Sequence, residues 1–404
     1  MPETHDVAVI GGGAAGLAAA IGAARQGASV VVAERLPKPG KKILVTGGGR
    51  CNLSNERFDV ADFTSTDQAL VASVFARIGP ADILGFFHEL GLETVSDGGR
   101  IYPSTGQAAS VLKVLLLEIA RLGVAMVLDF EAAAIESRSG GFVLSARDGR
   151  TIETRRIVMA GGGRSYPALG SNGSGHELAR KMGHRIVHPV PSAVPLLVKD
   201  RLCHALQGQR IRARASALVG GDPVREADGE LLFTAYGLSG TAVLDVSESL
   251  SIALNRDGRS DTVLAADLVP FMTSERLAGE IGRRMQAGWA ESDWLSGILP
   301  EKFAVLARSL PAPANRPDTA AALASALKDK RFAVHGTRGW NEAEFTAGGV
   351  DAREVEPGTL ESKLCRGLHL AGEILDVQGP RGGYNLAWAW ASGLAAGEAA
   401  GTRR

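Results

Sequence analysis

The chain has 404 residues, 45% apolar and 22% charged, a composition typical of a globular protein with a large core. Lys plus Arg and Asp plus Glu each number 44, so the formal net charge is zero. Because nucleic-acid-binding proteins usually carry a basic excess or a basic stripe, this balance predicts a small-molecule substrate and no nucleic-acid partner. The three cysteines lack metal-ligand spacing, and their sparse, odd number predicts a cytoplasmic location and no metal site.

An uncharged, mostly apolar run over residues 7–24 resembles a membrane span in length and hydropathy. Glycines interrupt the run at positions 11, 12, 13, 16 and 22, and acidic rather than basic residues precede it. A strand over residues 7–10, a helix over 14–26 and a second strand over 29–34 explain the run as a βαβ unit. We therefore expect no targeting segment and no membrane partner.

The rest of the chain indicates one α/β domain, an insertion of mixed type and a return to the first domain. Hydrophobic periodicity and turn residues predict the further elements in this order: a glycine-rich loop over residues 37–55; helices over 67–77, 81–90 and 106–122; strands over 124–128, 132–136, 142–147, 151–153 and 156–160; a strand-rich region over 193–260; a helical region over 273–330; strands over 331–350; a last strand over 368–371; and a last helix over 386–400.

The first turn after the first strand fits the pattern GxGxxG. Gly11 permits a tight turn, Gly13 lets the backbone approach a pyrophosphate, and Gly16 lets the helix pack closely on the strand. The phosphates would lie at the helix N-terminus, where free N–H groups favour anions. Glu34 ends the second strand, close to the usual offset of about 20 residues from the last glycine of the motif. A carboxylate at this position accepts hydrogen bonds from the ribose hydroxyls. The motif indicates a dinucleotide site but does not choose between NAD and FAD.

Three further clusters favour FAD. One is the glycine-rich stretch over residues 41–52, which resembles an anion-binding nest, and another is the triple glycine at 161–163 that ends an apolar strand. The third comprises residues 371–376 and the glycine pair that opens the last helix at 382–385. A helix N-terminus beside a flavin stabilises the negative charge that develops on the ring during reduction. FAD is long enough to need both ends of the chain.

The same stretches resemble the BaiN-like family of FAD-dependent oxidoreductases, which also includes aminoacetone oxidases. The motifs that carry the resemblance extend over nearly the whole chain in the family's order: IGGGAAG at 10–16, KKILVTGGGRCNLSN at 41–55, GRIYPSTGQAASVL at 99–112, GGRSYPALGSNGSGHELARKMGH at 162–184, LLFTAYGLSG at 231–240, FTAGGV at 345–350 and AGEILDVQGPRGGYNLAWAWASG at 371–393. The sequence departs from the family pattern at Gly161, Thr241 and Gln378, where Thr, Pro and an acid are usual.

The resemblance implies an α/β fold: a split Rossmann-type FAD-binding domain with an inserted β-barrel-like domain and a small helical domain. The boundaries expected are 1–190 plus 351–404 for the FAD-binding domain, 191–261 plus 331–350 for the β-rich insertion, and 262–330 for the helical domain. FAD contacts are implied at Gly11, Gly13, Gly16, Glu34, Arg50, Asn52, Gly162, Glu373 and Asn385, with the Ala132 backbone near the adenine. Neighbouring residues complete the expected site: Ala14, Ala15, Arg35, Lys42, Thr46, Gly47, Gly48, Gly161, Gly372, Asp376, Gly383, Tyr384 and Leu386.

Three functions are compatible with this site. The first is NAD(P)H-dependent reduction of an unsaturated small organic substrate through flavin hydride transfer, the second an amine oxidase that uses oxygen, and the third a flavin-binding protein without turnover. No second GxGxxG follows a strand, so a nicotinamide donor would have to dock at the flavin face. Tyr384 is the candidate general acid or base, with packing as the alternative, and Cys51 is a weaker candidate redox thiol.

Overall fold

The computed structural model describes residues 4–308 and 319–402. The strands of the described residues are, in chain order, β1 (His5–Ile10), β2 (Val30–Ala33), β3 (Ser54–Asn55), β4 (Thr64–Ser65), β5 (Thr94–Asp97), β6 (Arg100–Pro103), β7 (Ala125–Val127), β8 (Ala132–Arg138), β9 (Gly141–Ala146), β10 (Thr151–Met159), β11 (Ile186–Ser192), β12 (Leu196–Val198), β13 (Arg210–Val219), β14 (Asp222–Thr234), β15 (Gly237–Ser239), β16 (Thr262–Asp267), β17 (Lys330–Thr337), β18 (Phe345–Val350), β19 (Leu368–Leu370) and β20 (Val377–Gln378).

The α-helices of the same residues are α1 (Ala14–Arg25), α2 (Gln68–Arg77), α3 (Pro80–Glu89), α4 (Ala108–Arg121), α5 (Ser174–Lys181), α6 (Arg201–Ala205), α7 (Thr241–Asn255), α8 (Ser274–Gln286), α9 (Ala304–Arg308), α10 (Thr319–Lys328) and α11 (Tyr384–Gly401). Within these residues no single helix is long and apolar enough to cross a membrane, although the bent pair α2 and α3 together reaches the required length and hydropathy.

The chain forms two compact units, one from Met1–Pro189 with Phe345–Arg404 and one from Val190–Glu344. The first unit is built on a sheet of seven strands in the order β7-β2-β1-β10-β9-β8, with β19 beside β10. Strands β7, β2, β1, β10 and β19 are parallel to one another, whereas β8 and β9 extend from β10 as an antiparallel meander. The parallel strands β1 and β2 are almost wholly buried, which explains their continuous apolar sequences.

Helices α1 and α11 pack directly against each other in the first unit. Gly397 of α11 lies so close to α1 that an added Cβ would stand 2.1 Å from the Ala19 carbonyl oxygen. Gly393 and Gly401 approach α1 in the same way, one helical turn before and after Gly397. Glycines four residues apart fall on one face of a helix, so this spacing lets the two backbones meet.

The second unit contains a closed six-stranded antiparallel barrel in the order β12-β15-β14-β13-β16-β17. Alternate residues of β13 are buried, including Ile211, Ala213 and Ala215, as expected for strands with one face toward the barrel core. Helix α7 packs on β13 and β14, where the Thr241 hydroxyl accepts the Glu230 N–H at 2.9 Å.

The predicted fold class is confirmed, since a Rossmann-type sheet, a barrel and helices are all present. Residues 193–260 are rich in strands, as expected, but 241–255 form α7, a helix that was not predicted. The unit boundaries fall at Pro189 and Phe345, so β18 belongs to the first unit, whereas the sequence assigned it to the insertion. Strand β16 belongs to the barrel although it starts the segment expected to be helical. Residues 309–318 of that segment lie outside the described residues.

Candidate functional site

Four parallel strands of the first unit end at the same edge of the sheet. Val9 of β1 is in register with Val32 of β2 on one side and with Val158 of β10 on the other. Met159 of β10 is in turn in register with Leu370 of β19. The chain leaves β1 toward β2 and later returns to the opposite side through β10, so the carboxyl end of β1 is a topological switch point. Open α/β sheets bind their ligands at this position.

The glycines of the loop after β1 differ in how much room each would leave for a side chain. Gly11 has a φ of +102°, and a Cβ there would lie 2.6 Å from the Ala160 carbonyl oxygen. A Cβ on Gly16 would lie 1.8 Å from the Gly11 carbonyl oxygen, so the start of α1 packs tightly on the loop. Around Gly13, in contrast, no described atom lies within 4 Å of an added Cβ. The loop is therefore closed toward the protein and open at Gly13.

The N-terminus of α1 opens on the same side. Gly13 is its N-cap, and within the described residues no side chain caps the helix and no acid occupies its first turn, which contains Ala14 and Ala15. The first N–H groups of a helix need partners, and anions supply them well. The open Gly13 face and these N–H groups together suit a pyrophosphate.

Glu34, just after β2, is buried against the glycine loop. Its Oε2 accepts the Gly12 N–H at 2.6 Å, and its Oε1 accepts the Leu36 N–H at 2.7 Å. The carboxylate therefore fixes the shape of the loop as well as offering its remaining lone pairs to a ribose. Phe130 donates its N–H to the Glu34 carbonyl at 2.9 Å, which brings the start of β8 and its Ala132 close to the same end.

The segment that follows β2 returns to the glycine loop, where the Gly40 N–H donates to the Gly12 carbonyl at 2.8 Å. Residues 43–49 then form an irregular 3₁₀ turn in which Gly47 and Gly48 have φ values of +56° and +67°. The Thr46 hydroxyl donates to the Ile43 carbonyl within this turn. Only glycine adopts such a run without strain, which explains the triple glycine.

Arg50 and Cys51 follow this turn. The Arg50 side chain is engaged by neighbouring residues, and the Cys51 side chain is buried. The Arg50 guanidinium pairs with Asp97 at 3.0 Å and lies 3.9 Å from the centre of the Tyr102 ring. Cys51 is fully buried, and burial raises the pKa of its thiol to about 12. A thiol that stays protonated is a poor nucleophile, so the geometry opposes a redox role for Cys51.

The loop before α11 is held by two asparagines. Asn385 accepts the Gly379 N–H at 3.0 Å and donates to the Gly379 carbonyl at 2.7 Å, and the Asn55 amide donates to the Gly382 carbonyl at 2.8 Å. Gly383 has a φ of +105°, and a Cβ there would stand 2.4 Å from the Ser54 carbonyl oxygen. Asn385 therefore shapes the loop, a role distinct from the direct FAD contact that the resemblance implies.

Tyr384 packs in an aromatic cluster at the start of α11, ahead of Leu386. Its ring stacks on Phe58 with centroids 5.2 Å apart, and its hydroxyl donates to the Arg57 carbonyl and lies 3.2 Å from the Asp62 carboxylate. Burial and the nearby Asp62 charge raise the pKa of this phenol to about 12. The hydroxyl is already engaged within the protein, so the contacts favour packing over acid–base chemistry.

A polar cluster lies where β10 and β19 end. The Lys42 ammonium donates to Glu373 Oε2 at 2.7 Å and to the Ser165 hydroxyl at 2.6 Å. Ser165 donates to Glu373 Oε1 at 3.0 Å, and the Thr346 N–H donates to the same oxygen at 2.8 Å. Glu373 is thus engaged by three neighbours rather than open toward a ribityl chain. Sequence reasoning selected Lys42 and Glu373 separately and missed Ser165 and Thr346, although both lie in family-like motifs.

His176, in the first turn of α5, is buried beside the same cluster. Burial lowers the pKa of its imidazole to about 4, although the Glu373 charge acts in the opposite direction. The family-like motif over residues 162–184 contained this residue, but a single histidine gave no reason to select it.

The triple glycine after β10 and the glycine after β19 give this end its tight packing. Gly162 has a φ of +71°, and the Cα of Gly175 lies 3.5 Å from a Cβ added to Gly161. Gly372 has a φ of +76°, and a Cβ on it would stand 2.6 Å from the Cβ of Ala15. Asp376 is buried nearby and donates its backbone N–H to the Val350 carbonyl.

The residues at this edge fit FAD. The open face of Gly13 and the uncapped start of α1 leave room for a pyrophosphate, and Glu34 lies just after β2, where its carboxylate would meet a ribose. Among the buried polar atoms that have no hydrogen-bond partner within the described residues, Arg35 Nη1 and Asn52 Oδ1 belong to the segments that follow β2 and the glycine-rich turn, where a ligand would supply the missing partner. Across the same described residues, no group of three or more His, Cys, Asp or Glu could hold a metal ion.

Comparison with known proteins agrees with this geometry. The model of the family described as HI0933-like protein Rossmann domain matches residues 5–399. A 3-dehydro-bile acid delta(4,6)-reductase of Clostridium scindens is 39% identical over 98% of this chain and 99% of its own. A ribosomal RNA dihydrouridine synthase of Escherichia coli is 31% identical over 97% of each. The 3-ketosteroid-delta4-(5alpha)-dehydrogenase structure from Rhodococcus jostii has a TM-score of 0.52 and 16% identity, covering 100% of this chain and 98% of that one.

Proposed function

The chain belongs to the HI0933-like Rossmann family and is an FAD-dependent oxidoreductase, and we propose that it reduces a carbon–carbon double bond conjugated to a carbonyl group. The identity of 39% over nearly the full length of a named delta(4,6)-reductase is the observation that carries the proposal. The resemblance noted from the motifs is confirmed by the family match over residues 5–399.

The names of the two full-length relatives point to one kind of chemistry. A 3-dehydro bile acid has a carbonyl at C3, and a delta-4,6 system is conjugated with it. Uridine has a 5,6 double bond conjugated with its C4 carbonyl, and dihydrouridine lacks that double bond. Reduction of such a bond adds a hydride to the alkene carbon remote from the carbonyl group and a proton to the alkene carbon on the carbonyl side, which saturates the double bond. The names of both relatives therefore indicate one substrate class, an α,β-unsaturated ketone or amide.

The residues of this chain supply binding and electrostatics for that reaction. When bound, FAD accepts a hydride and passes it to the substrate. The glycine loop at Gly11–Gly13 and Glu34 would hold the pyrophosphate and ribose. Arg35 Nη1 and Asn52 Oδ1, which lack a partner in the described part of the chain, would complete the cofactor contacts. The Lys42 and Glu373 cluster lies beyond the loop, at the ends of β10 and β19.

We take a small apolar enone, of which a 3-oxo steroid is the example, as the first candidate substrate. The higher identity to the bile acid reductase and the zero net charge favour it over ribosomal RNA. Reduction of uridine in ribosomal RNA is the second candidate, because two relatives with that name, 31% and 30% identical, each match over at least 97% of this chain. The predicted absence of a nucleic-acid partner stays a prediction.

The electron donor is proposed to be NADH or NADPH, docking at the flavin face. Anaerobic stopped-flow absorbance of the FAD-loaded protein tests this directly, with bleaching of the flavin band as the readout. Rapid bleaching by one nucleotide supports the reductase. Bleaching by an amine but by neither nucleotide would instead indicate the amine oxidase alternative.

The substrate class is tested by reoxidation of the reduced protein under anaerobic conditions. A 3-oxo-4,6-diene steroid, a ribosomal RNA transcript and a saturated 3-oxo steroid are mixed in turn with reduced protein. We expect the diene to restore the flavin band and to gain two hydrogens by mass spectrometry, and the saturated steroid to do neither. Reoxidation by the RNA alone would select the second candidate, and reoxidation by neither unsaturated substrate would contradict the proposed class.

A further inference from the structure

The cluster at the ends of β10 and β19 brings together residues from distant parts of the chain. Lys42 and Glu373 are 331 positions apart in sequence, yet Nζ and Oε2 lie 2.7 Å apart. Their side chains are only 20% and 22% exposed, so water screens this pair less than a surface pair. The Ser165 hydroxyl lies between them, 2.6 Å from Nζ and 3.0 Å from Oε1. The lysine is therefore held in one place by two partners.

The order of the strands places this cluster relative to the cofactor. Glu34 follows β2, the open Gly13 follows β1, and Ser165 and Glu373 follow β10 and β19, which continue the same row. Adjacent strands are about 4.8 Å apart, so the last two lie about 5–10 Å beyond the glycine loop. With ribose at Glu34 and pyrophosphate at Gly13, the flavin half of FAD extends toward this cluster.

The Glu373 carboxylate and the Lys42 ammonium differ in how fully the protein occupies their hydrogen-bonding capacity. Both oxygens of the Glu373 carboxylate are covered by donors, namely Lys42, Ser165 and the Thr346 N–H. Lys42 belongs to the segment that contacts the glycine loop through Gly40, and its ammonium has a third N–H beyond the two that Glu373 and Ser165 accept. The ammonium of Lys42 thus keeps one donor for a further acceptor, whereas both carboxylate oxygens of Glu373 already accept hydrogen bonds from the protein.

We infer that Lys42, positioned by Glu373 and Ser165, is the cationic residue that stabilises the reduced form of the bound flavin. Uptake of a hydride adds two electrons and one proton, and so leaves the cofactor with one additional negative charge. A fixed cation in a partly buried site stabilises that charge without reorganisation. Glu373 is then a positioning residue for Lys42. The inference rests on FAD binding at this site and is independent of which double bond is reduced.

The test measures the midpoint potential of bound FAD by dye equilibration, without any substrate, in Lys42→Met and in the control Lys38→Met. Lys38 is an exposed lysine in the same loop, so the control removes an equal charge nearby. We expect Lys42→Met to weaken binding of reduced FAD relative to oxidised FAD by about tenfold, with a correspondingly lower midpoint potential. The control should keep the potential of the unmodified protein.

Two further variants keep the test decisive. Lys42→Arg retains the charge and should restore most of the potential. Lys42→Met with Glu373→Gln removes both charges, which avoids leaving an uncompensated carboxylate if the single variant does not fold. We expect this double variant to show the lowered potential as well. An unchanged potential in the double variant, or an equal loss of affinity for oxidised and reduced FAD, would overturn the inference and make Lys42 an ordinary binding residue.

Failure of this inference is distinguishable from failure of the proposed function. The midpoint potential and the FAD affinity, measured by titration of the apoprotein, need neither nicotinamide nor enone. A protein whose potential depends on Lys42 but which reduces no conjugated double bond would retain this inference and lose the proposed function.

Discussion

Two groups of glycines in the first unit serve opposite purposes. At the cofactor loop, no described atom lies within 4 Å of a Cβ added to Gly13. Between α1 and α11, a Cβ on Gly393 or Gly397 would stand 2.4 Å or 2.1 Å from a carbonyl oxygen of the facing helix. The first glycine leaves room for a ligand, and the others leave room for another part of the chain. Substitution of Gly13 is therefore expected to weaken cofactor binding, whereas substitution of Gly393 or Gly397 is expected to destabilise the fold.

The largest effect is expected at the helix interface. Gly397→Ala forces its methyl group against the Ala19 carbonyl, and because both partners are helix backbone, neither can move alone. We expect the free energy of unfolding of the apoprotein to fall by about 3 kcal/mol, measured by denaturant titration. Gly85→Ala is the matched control, since Gly85 lies in α3 and no described atom lies within 4 Å of a Cβ added to it. That control should gain up to about 1 kcal/mol, and a similar loss in both variants would contradict the close approach.

The next effect belongs to the open glycine. Gly13 has φ −85° and ψ −167°, an extended conformation that any residue adopts. Gly13→Val should therefore leave the apoprotein's melting temperature nearly unchanged while filling the space for the pyrophosphate. We expect FAD affinity to fall at least about 100-fold and the purified protein to be colourless. A yellow variant fully occupied by FAD would show that Gly13 does not line the cofactor site, and would contradict the contrast drawn between Gly13 and the glycines of the helix contact.

Glu34 lies between these two extremes, because its carboxylate both shapes the glycine loop and faces the cofactor position. Glu34→Ala leaves the N–H groups of Gly12 and Leu36 without their acceptor. We expect the apoprotein to lose about 1–3 kcal/mol of stability and FAD affinity to fall about tenfold. Chemical denaturation of the apoprotein and FAD titration measure the two losses separately. Loss of stability with unchanged FAD affinity would assign Glu34 to the fold alone.

The smallest effect concerns pH. The pKa of His176 is about 4 in the folded protein, against an ordinary value of 6.5. Between these values the unfolded chain binds the proton and the folded chain does not, so stability falls as pH falls from about 6.5 toward 4. We expect a loss of about 2 kcal/mol between pH 8 and pH 5 from this residue. His176→Gln should flatten the fall in apoprotein stability over that window, and an unchanged slope would show that another group carries it.

Much of the cofactor end could be predicted because its signals are local. The turn at Gly11–Gly16, the acid at Glu34 and the apolar strands on either side depend on residues within one βαβ unit, where backbone conformation and strand burial impose the residue types. The helix over 241–255 also had a local signal, with apolar residues at 242, 243, 246, 250 and 253 at helical spacing. This helix was not predicted because the strand signals on either side of it led to the whole region being interpreted as strand-rich.

What the sequence by itself determined is therefore the dinucleotide turn, the first βαβ unit and the family. Tertiary structure alone decided that Lys42 pairs with Glu373 beside Ser165. It also decided that the Tyr384 hydroxyl hydrogen-bonds to Arg57 and Asp62. Finally, it placed Gly393 and Gly397 at the contact between α1 and α11. The physical reason is distance along the chain. A backbone turn is determined by a few adjacent residues, whereas a side-chain partner hundreds of positions away is selected only when the sheet brings the strand ends together.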